Sequence, residues 1–87
     1  MSDIESIGRR AREARLASNL AQAEVARAAG ISTKALGDFE RTGKIRLENF
    51  LRILEVLGRG EEADALLRKR TLTPDEIDRI NAVRTDA

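Results

Sequence analysis

The residues that could do chemistry lie between positions 33 and 41, where polar side chains would face outward from a short helix. Leu36 and Phe39, spaced i and i+3, define the inner face of that helix. The outward set, most of which can donate or accept hydrogen bonds, is Thr33, Lys34, Gly37, Asp38 and Arg41. A helix that reads base edges in the DNA major groove requires such a surface. The segment therefore predicts a DNA-reading helix.

A second short helix and a tight turn precede this segment and would position it. Gln22 opens this preceding helix, and Val25 and Ala29 lie four residues apart on its inner face. Gly30 then predicts a C-cap, because only glycine enters the left-handed backbone region without a Cβ penalty. Ser32 predicts the N-cap of the next helix. Two helices crossing at a glycine turn form a helix-turn-helix.

The segment LAQAEVARAAGISTKALGDFERTG, from Leu20 to Gly43, resembles the Xre/Cro family of helix-turn-helix regulators, which have the lambda-repressor-like fold. The resemblance runs from about Ile7 to Leu57. The matching residues are Leu20, Gln22, Glu24, Val25, Ala26, Gly30, Ile31, Ser32, Leu36, Phe39 and Glu40. It implies a partly buried ion pair between Arg15 and Glu40 that fixes the order of the helices. One departure is Gly43, because the family usually places this glycine two residues after the glutamate.

The resemblance also implies which residues contact DNA. Thr33, Lys34 and Asp38 match the base-reading positions. Lys34 can donate to guanine O6 and N7, and Asp38 can accept from cytosine N4 or act by excluding wrong sites. An alternative for Asp38 is a surface charge paired to Lys34 or Arg41. The predicted phosphate-binding residues are Gln22, Ser32, Arg41, Lys44 and Arg10, with solvated charges as the alternative for Arg10 and Lys44.

The distribution of charge agrees with a DNA-binding segment, although the net charge of the chain is only +1. Residues 7–46 contain nine basic and four acidic side chains, and the other residues contain seven basic and eleven acidic ones. Positive charge is thus concentrated where phosphate would lie. An Arg-rich solvated helix face would have the same composition, so charge alone does not decide between the two.

The composition argues against catalysis and against a resident cofactor. The chain has no His, Cys or Tyr, no glycine-rich phosphate loop and no carboxylates at metal-ligand spacing. We therefore predict that the protein is not an enzyme and has no cofactor or metal. No apolar run reaches the roughly 18 residues of a membrane span, and the acidic start lacks the basic region of a signal peptide. A soluble cytoplasmic protein without membrane contact is expected.

The predicted fold is all-α, a lambda-repressor-like bundle of five helices with a short sixth helix. A first helix begins as early as Asp3, with Ser2 and Glu5 in capping-box spacing. The fourth helix has a main apolar stripe and ends at Gly58, and a fifth runs from about Glu61 to Arg70. Thr73-Pro74-Asp75-Glu76 begins the sixth. We expect a DNA-binding domain over 1–70 and a C-terminal extension over 71–87. The main stripe of the fourth helix is Leu47, Phe50, Leu51 and Leu54.

Apolar residues outside that stripe predict a contact with another surface. They are Ile53, Val56 and Leu57 on the fourth helix, and Ile77, Ile80 and Val83 on the sixth. These residues would form the interface of a homodimer. Such a homodimer would bind a palindromic operator and act as a repressor. A monomer whose tail completes the core is the alternative. A second hypothesis is an antitoxin whose tail binds a toxin protein while its head regulates its own operon. Burial of Ile77, Ile80 and Val83 within the chain would argue against it.

Overall fold

The computed structural model describes residues 3–66, 68 and 73–86, with side chains in the last helix described to residue 82. Within these residues every regular element is a helix, which confirms the predicted all-α class. The helices are α1 Ile4–Ala17, α2 Gln22–Ala29, α3 Thr33–Thr42, α4 Leu47–Val56, α5 Gly60–Ala65 and α6 Pro74–Asp86. None of the helices in this described part is long and apolar enough to cross a membrane.

Side-chain caps begin three of the helices. The carboxylate of Asp3 accepts the Ser6 N–H at 2.8 Å and caps α1, whereas Ser2 of the predicted capping box lies outside the described residues. Thr73 and Glu76 form the predicted reciprocal box at the start of α6, with hydrogen bonds of 3.2 and 3.1 Å. Each cap satisfies backbone N–H groups that have no partner within the helix. The box that begins α6 is therefore confirmed, whereas the N-cap of α1 is Asp3 rather than the predicted Ser2.

The core lies where α2, α3 and α4 meet, with α1 packed across α3. Phe39 contributes its whole side chain and contacts Phe50 edge-to-face, with ring centroids 5.8 Å apart. Burial of a side chain of this size contributes about 1.5–3 kcal/mol. Among the described residues, the buried apolar ones are Val25, Ala26, Ala29, Leu36, Phe39 and Ile53. The core thus orients α3, with Leu36 and Phe39 inward as predicted.

Two glycines allow α1 to approach α3 closely. A Cβ atom on Gly8 would overlap the carbonyl oxygen of Phe39, and one on Gly43 would overlap the carbonyl of Ile4. Gly43 also has a φ of 78° and ends α3 in the left-handed conformation. A glycine one residue later than in the family pattern therefore serves here as both the cap of α3 and a contact with α1.

The orientation of α4 differs from the predicted one. Leu47 is 68% exposed and Leu51 is 36% exposed, although the main stripe placed both inward. Ile53 is instead 1% exposed, which removes it from the predicted dimer or partner contacts. Val56 and Leu57 are partly buried against the same core. The helix presents its inner face to α2, and that contact selects Ile53 rather than Leu47 and Leu51.

The fifth helix is shorter than predicted. It spans Gly60–Ala65 rather than about Glu61 to Arg70, because Leu66 adopts an extended conformation with ψ of 131°. Arg70 lies outside the described residues. The fourth helix, in contrast, ends just before Gly58 as predicted, and this glycine has a φ of 74°.

Candidate nucleic-acid interface

The turn between α2 and α3 is made by three residues with distinct backbone roles. Gly30 lies in the left-handed region with φ of 75°, and its N–H is directed at the carbonyls of the last turn of α2. The N–H of Ile31 donates to the Ala26 carbonyl at 3.0 Å. Ser32 then caps α3, because its hydroxyl accepts the Ala35 N–H at 3.0 Å. Gly30 and Ser32 are confirmed as the two caps.

The outer face of α3 presents the polar side chains that the sequence predicts. Thr33 and Lys34 are exposed in the first turn of the helix, and Arg41 is exposed in its last. Asp38 lies between them and is partly exposed. The structure therefore brings the three predicted base-reading residues and Arg41 onto one surface. This surface lies opposite the core residues Leu36 and Phe39.

Asp38 pairs with both cations of this surface. Its Oδ2 accepts from Lys34 Nζ at 3.0 Å, and its Oδ1 accepts from Arg41 Nη2. The hydrogen bond from Lys34 lowers the pKa of Asp38, and the charges of Lys34 and Arg41 lower it further. Both pairs are solvent-exposed, so each contributes little to stability and can exchange for another partner. The pairing that was the alternative role of Asp38 is thus present in the free protein.

A buried ion pair joins α3 to α1. Arg15 on α1 donates to Glu40 through Nε at 2.7 Å and through Nη2 at 3.0 Å. The remaining Nη1 donates to the Leu20 carbonyl at 2.8 Å. The side chains are only 8% and 2% exposed. The pair implied by the family resemblance is therefore formed, and it is buried more deeply than expected.

The protonation of this pair is fixed by its own hydrogen bonds. Burial alone would raise the pKa of Glu40, but hydrogen bonds from Arg15 and Gln22, with the Arg15 charge, hold it below its ordinary value. The hydrogen bond to Glu40 likewise raises the pKa of Arg15. Both groups stay charged at neutral pH as a result.

Gln22 has a contact that the sequence did not indicate. Its Nε2 donates to Glu40 Oε1 at 2.9 Å, so it joins the N-terminus of α2 to the buried pair. The two residues are 18 positions apart, and no local pattern connects them. Gln22 also lies beside Gly37, because a Cβ added there would be 3.7 Å from Gln22 Nε2. This places the predicted phosphate-binding amide at the edge of the α3 surface.

The other predicted contacts do not all lie beside α3. Lys44 is exposed in the connection after α3, where its N–H donates to Thr42 Oγ1 at 3.2 Å. Arg10 borders a groove between α1, α4 and α5 whose lining contains no α3 residue. Ile77 and Ile80 are each 45% exposed on α6, and the side chain of Val83 lies outside the described residues.

Two helices joined by a glycine turn, the second with an exposed polar face, define a helix-turn-helix. A family model described as Helix-turn-helix matches residues 12–63, more than half of the chain, and the chain belongs to this Xre/lambda-repressor-like family. The protein is therefore a DNA-binding helix-turn-helix regulator, and its family is not typically enzymatic. A search of curated proteins gives no match to the chain.

Proposed function

We propose that the protein is a homodimeric repressor that inserts α3 into the major groove of a palindromic operator. The observation that carries this proposal is the exposed surface of Thr33, Lys34, Asp38 and Arg41, held in place by the buried Arg15–Glu40 pair. Bound at a promoter, such a dimer represses by occupying the site. The proposal also assigns the protein to the cytoplasm, because a repressor must reach the DNA.

The first turn of α3 faces the bases in this proposal. Lys34 donates to guanine O6 and N7, and the methyl group of Thr33 contacts a thymine methyl. Asp38 exchanges its two intramolecular partners for the N4 amino group of cytosine at the correct site. At an incorrect site its carboxylate faces acceptors or phosphates, which disfavours binding. Sequence discrimination then follows from this exchange of partners.

The phosphate contacts surround this base-reading surface. Gln22 lies at the N-terminus of α2, where an amide and free backbone N–H groups can hold a phosphate oxygen. Ser32 is the N-cap of α3, and Arg41 and Lys44 supply cationic contacts near this surface. Arg10 would contact phosphate away from it, because it borders the groove between α1, α4 and α5. Arg41 must leave Asp38 to reach phosphate. The positive charge of residues 7–46 supplies the electrostatic part of the affinity.

Fluorescence anisotropy tests the proposal directly. The full chain is titrated into labelled DNA from upstream of its own gene and into a scrambled duplex of equal length, across a salt series. We expect preference for the upstream duplex and an affinity that falls with salt on a slope of several phosphates. Equal, weak binding to both duplexes would contradict specific recognition.

Two lysine variants separate base reading from phosphate binding. Lys34→Ala is expected to reduce the preference for the upstream duplex, because it removes a base contact. Lys44→Ala is expected to weaken binding to both duplexes by a similar factor, because it removes a phosphate contact. If Lys34→Ala also weakens binding to both duplexes by the same factor, then Lys34 does not read bases.

The second copy would contact α6. Ile77 and Ile80 lie one turn apart and are each 45% exposed, so their apolar face is available to another chain. Two DNA-binding domains whose α3 helices are about 34 Å apart would match successive turns of the major groove. Sedimentation of the full chain should show a dimer, and the variant with Ile77→Asp and Ile80→Asp should be monomeric.

The same exposed face favours a second candidate function, an antitoxin whose tail binds a toxin protein. Half-exposed Ile77 and Ile80, two of the three tail residues on which this hypothesis depends, support it because neither is buried within the chain. A monomer in sedimentation, with or without the two aspartates, would favour it over the homodimer. The direct test is then co-expression with the product of the neighbouring gene, followed by titration of the two purified proteins with the paired aspartate variant as the control.

A further inference from the structure

Four of the six glycines in the chain have a role in its own backbone. Gly30, Gly43 and Gly58 adopt positive φ values of 75°, 78° and 74°. Gly8 lies where α1 crosses α3 and has no room for a Cβ. Gly60, the first residue of α5, has room for a Cβ. Gly37, the fifth residue of α3, also has room for one but lies in the interior of its helix.

No contact within the described part of the chain requires glycine at position 37. The residue is in the helix interior, and its φ is not positive. The nearest atoms to a Cβ added there are Gln22 Nε2 at 3.7 Å and Gln22 Oε1 at 3.8 Å, which is ordinary van der Waals contact. Alanine would therefore fit. Glycine in a helix interior destabilises the helix relative to alanine, so the fold alone favours alanine here.

The position of Gly37 connects it with the base-reading surface. It lies one turn after Thr33 and one turn before Arg41, and between Lys34 and Asp38 along the chain. Only Gln22 lies within 4 Å of a Cβ added at Gly37, so the missing side chain leaves a notch between Thr33 and Arg41 on the exposed face of α3. A notch of this kind is where another molecule could approach the helix backbone.

We propose that Gly37 is the point at which α3 comes closest to DNA, and that a base-pair edge occupies the notch. This inference rests on the proposed function, because it assumes that α3 enters the major groove. The occupant is a base edge rather than a phosphate, since the notch lies among the residues that would read bases and not at the end of the helix. Gly37 is then a specificity-determining residue, because it has no side chain to keep a base edge away from the helix backbone.

Two substitutions of increasing size and one matched control test the inference. Gly37→Ala and Gly37→Leu fill the notch with groups that cannot form hydrogen bonds, so size is the variable. Gly60→Ala is the control, because it changes a second helical glycine whose added Cβ would be 3.7 Å from the nearest atom, Glu55 Cγ. The probes are the duplex that the unmodified protein enriches from a random-sequence pool and a scrambled duplex of the same length.

The inference predicts opposite effects on stability and on binding. Gly37→Ala should raise the thermal midpoint by about 2–8 °C, because it removes a helix-interior glycine. It should also weaken binding to the enriched duplex by about 5- to 100-fold, the effect of overpacking a close contact. Gly37→Leu should weaken it further, and binding to the scrambled duplex should change less. Gly60→Ala should leave both affinities unchanged.

Four results would overturn the inference, and they are distinguishable. If the unmodified protein enriches no duplex, the proposed function and this inference fail together. If it does, and Gly37→Ala binds that duplex with unchanged affinity, only the close approach is wrong. If Gly37→Ala weakens binding to both duplexes by the same factor, the notch faces a phosphate rather than a base edge. A fall in thermal midpoint would show that Gly37 has a structural role instead.

Discussion

Replacing Glu40 with glutamine tests how the helix-turn-helix is held together. The substitution preserves the size of the side chain but leaves the Arg15 guanidinium buried without a counter-ion. Glu40 accepts three hydrogen bonds, of 2.7 and 3.0 Å from Arg15 and 2.9 Å from Gln22. Removing one partner of a buried pair costs about 3–5 kcal/mol. A domain of this length has a total stability of only about 4–13 kcal/mol, so Glu40→Gln should be severely destabilised.

The exposed pair on α4 supplies a matched control. Glu48 accepts from Arg52 at 2.6 Å, but the two side chains are 63% and 49% exposed. Glu48→Gln makes the same chemical change and also removes an acid from the first turn of a helix. The expected loss is about 0.3–1 kcal/mol. Both variants replace a paired carboxylate with an amide, and the main difference between them is the burial of the pair.

Urea unfolding followed by circular dichroism measures both losses. Each variant should keep the unfolding slope of the parent, because the slope reports the surface exposed on unfolding. We also expect Arg15→Met with Glu40→Leu to be more stable than Glu40→Gln alone, because no buried charge is left unpaired. The reasoning is refuted if Glu40→Gln is no more destabilised than Glu48→Gln.

Three further predictions concern a cap, a surface charge and acid stability. Ser32→Ala should reduce the free energy of unfolding by about 1 kcal/mol in urea, because the Ala35 N–H loses its acceptor; no change would mean that the cap is not needed. Asp38→Asn frees Lys34 and Arg41 to contact phosphate. In anisotropy, the variant should therefore bind the scrambled duplex more tightly, and the slope of its affinity with salt should be steeper by up to about 0.9 per added phosphate contact. The same effect in Glu48→Gln would assign it to net charge alone. The pKa of Glu40 is lowered in the folded state, so its stabilisation is complete above the unfolded value of about 4.3 and is lost as the pH falls further. The stability difference between the parent and Glu40→Gln, followed by urea unfolding, should therefore narrow in acid; a constant difference would show that Glu40 does not carry this dependence.

Local signals and the family resemblance predicted the parts of the fold that depend on few residues. Gly30 and Ser32 mark the turn because left-handed backbone and N-caps favour these residue types. The Arg15–Glu40 pair was implied by the matching motif, since no local pattern joins residues 25 positions apart. The contact of Gln22 with Glu40 was missed for the same reason.

The orientation of α4 shows why sequence pattern alone was insufficient. The helix has seven apolar residues within eleven positions, and they offer two competing stripes. Periodicity cannot decide between them, because both satisfy the helical repeat. The choice depends on α2, which packs against α4 and buries Ile53. The resulting exposure of Leu47 follows from tertiary contact and could not be read from the pattern.

The buried pair and the base-reading surface belong to the same helix, and this connects stability with recognition. Glu40 is one turn after Gly37 on α3, and Gln22 contacts the first and lies beside the second. A change in the buried pair therefore alters the support of the surface without touching the surface itself. The small hydrophobic core, with six buried apolar residues in the described part of the chain, provides limited resistance to such a shift. A polar network with fixed geometry orients a helix more specifically than apolar contacts do, and this is the role that we infer for Arg15, Gln22 and Glu40.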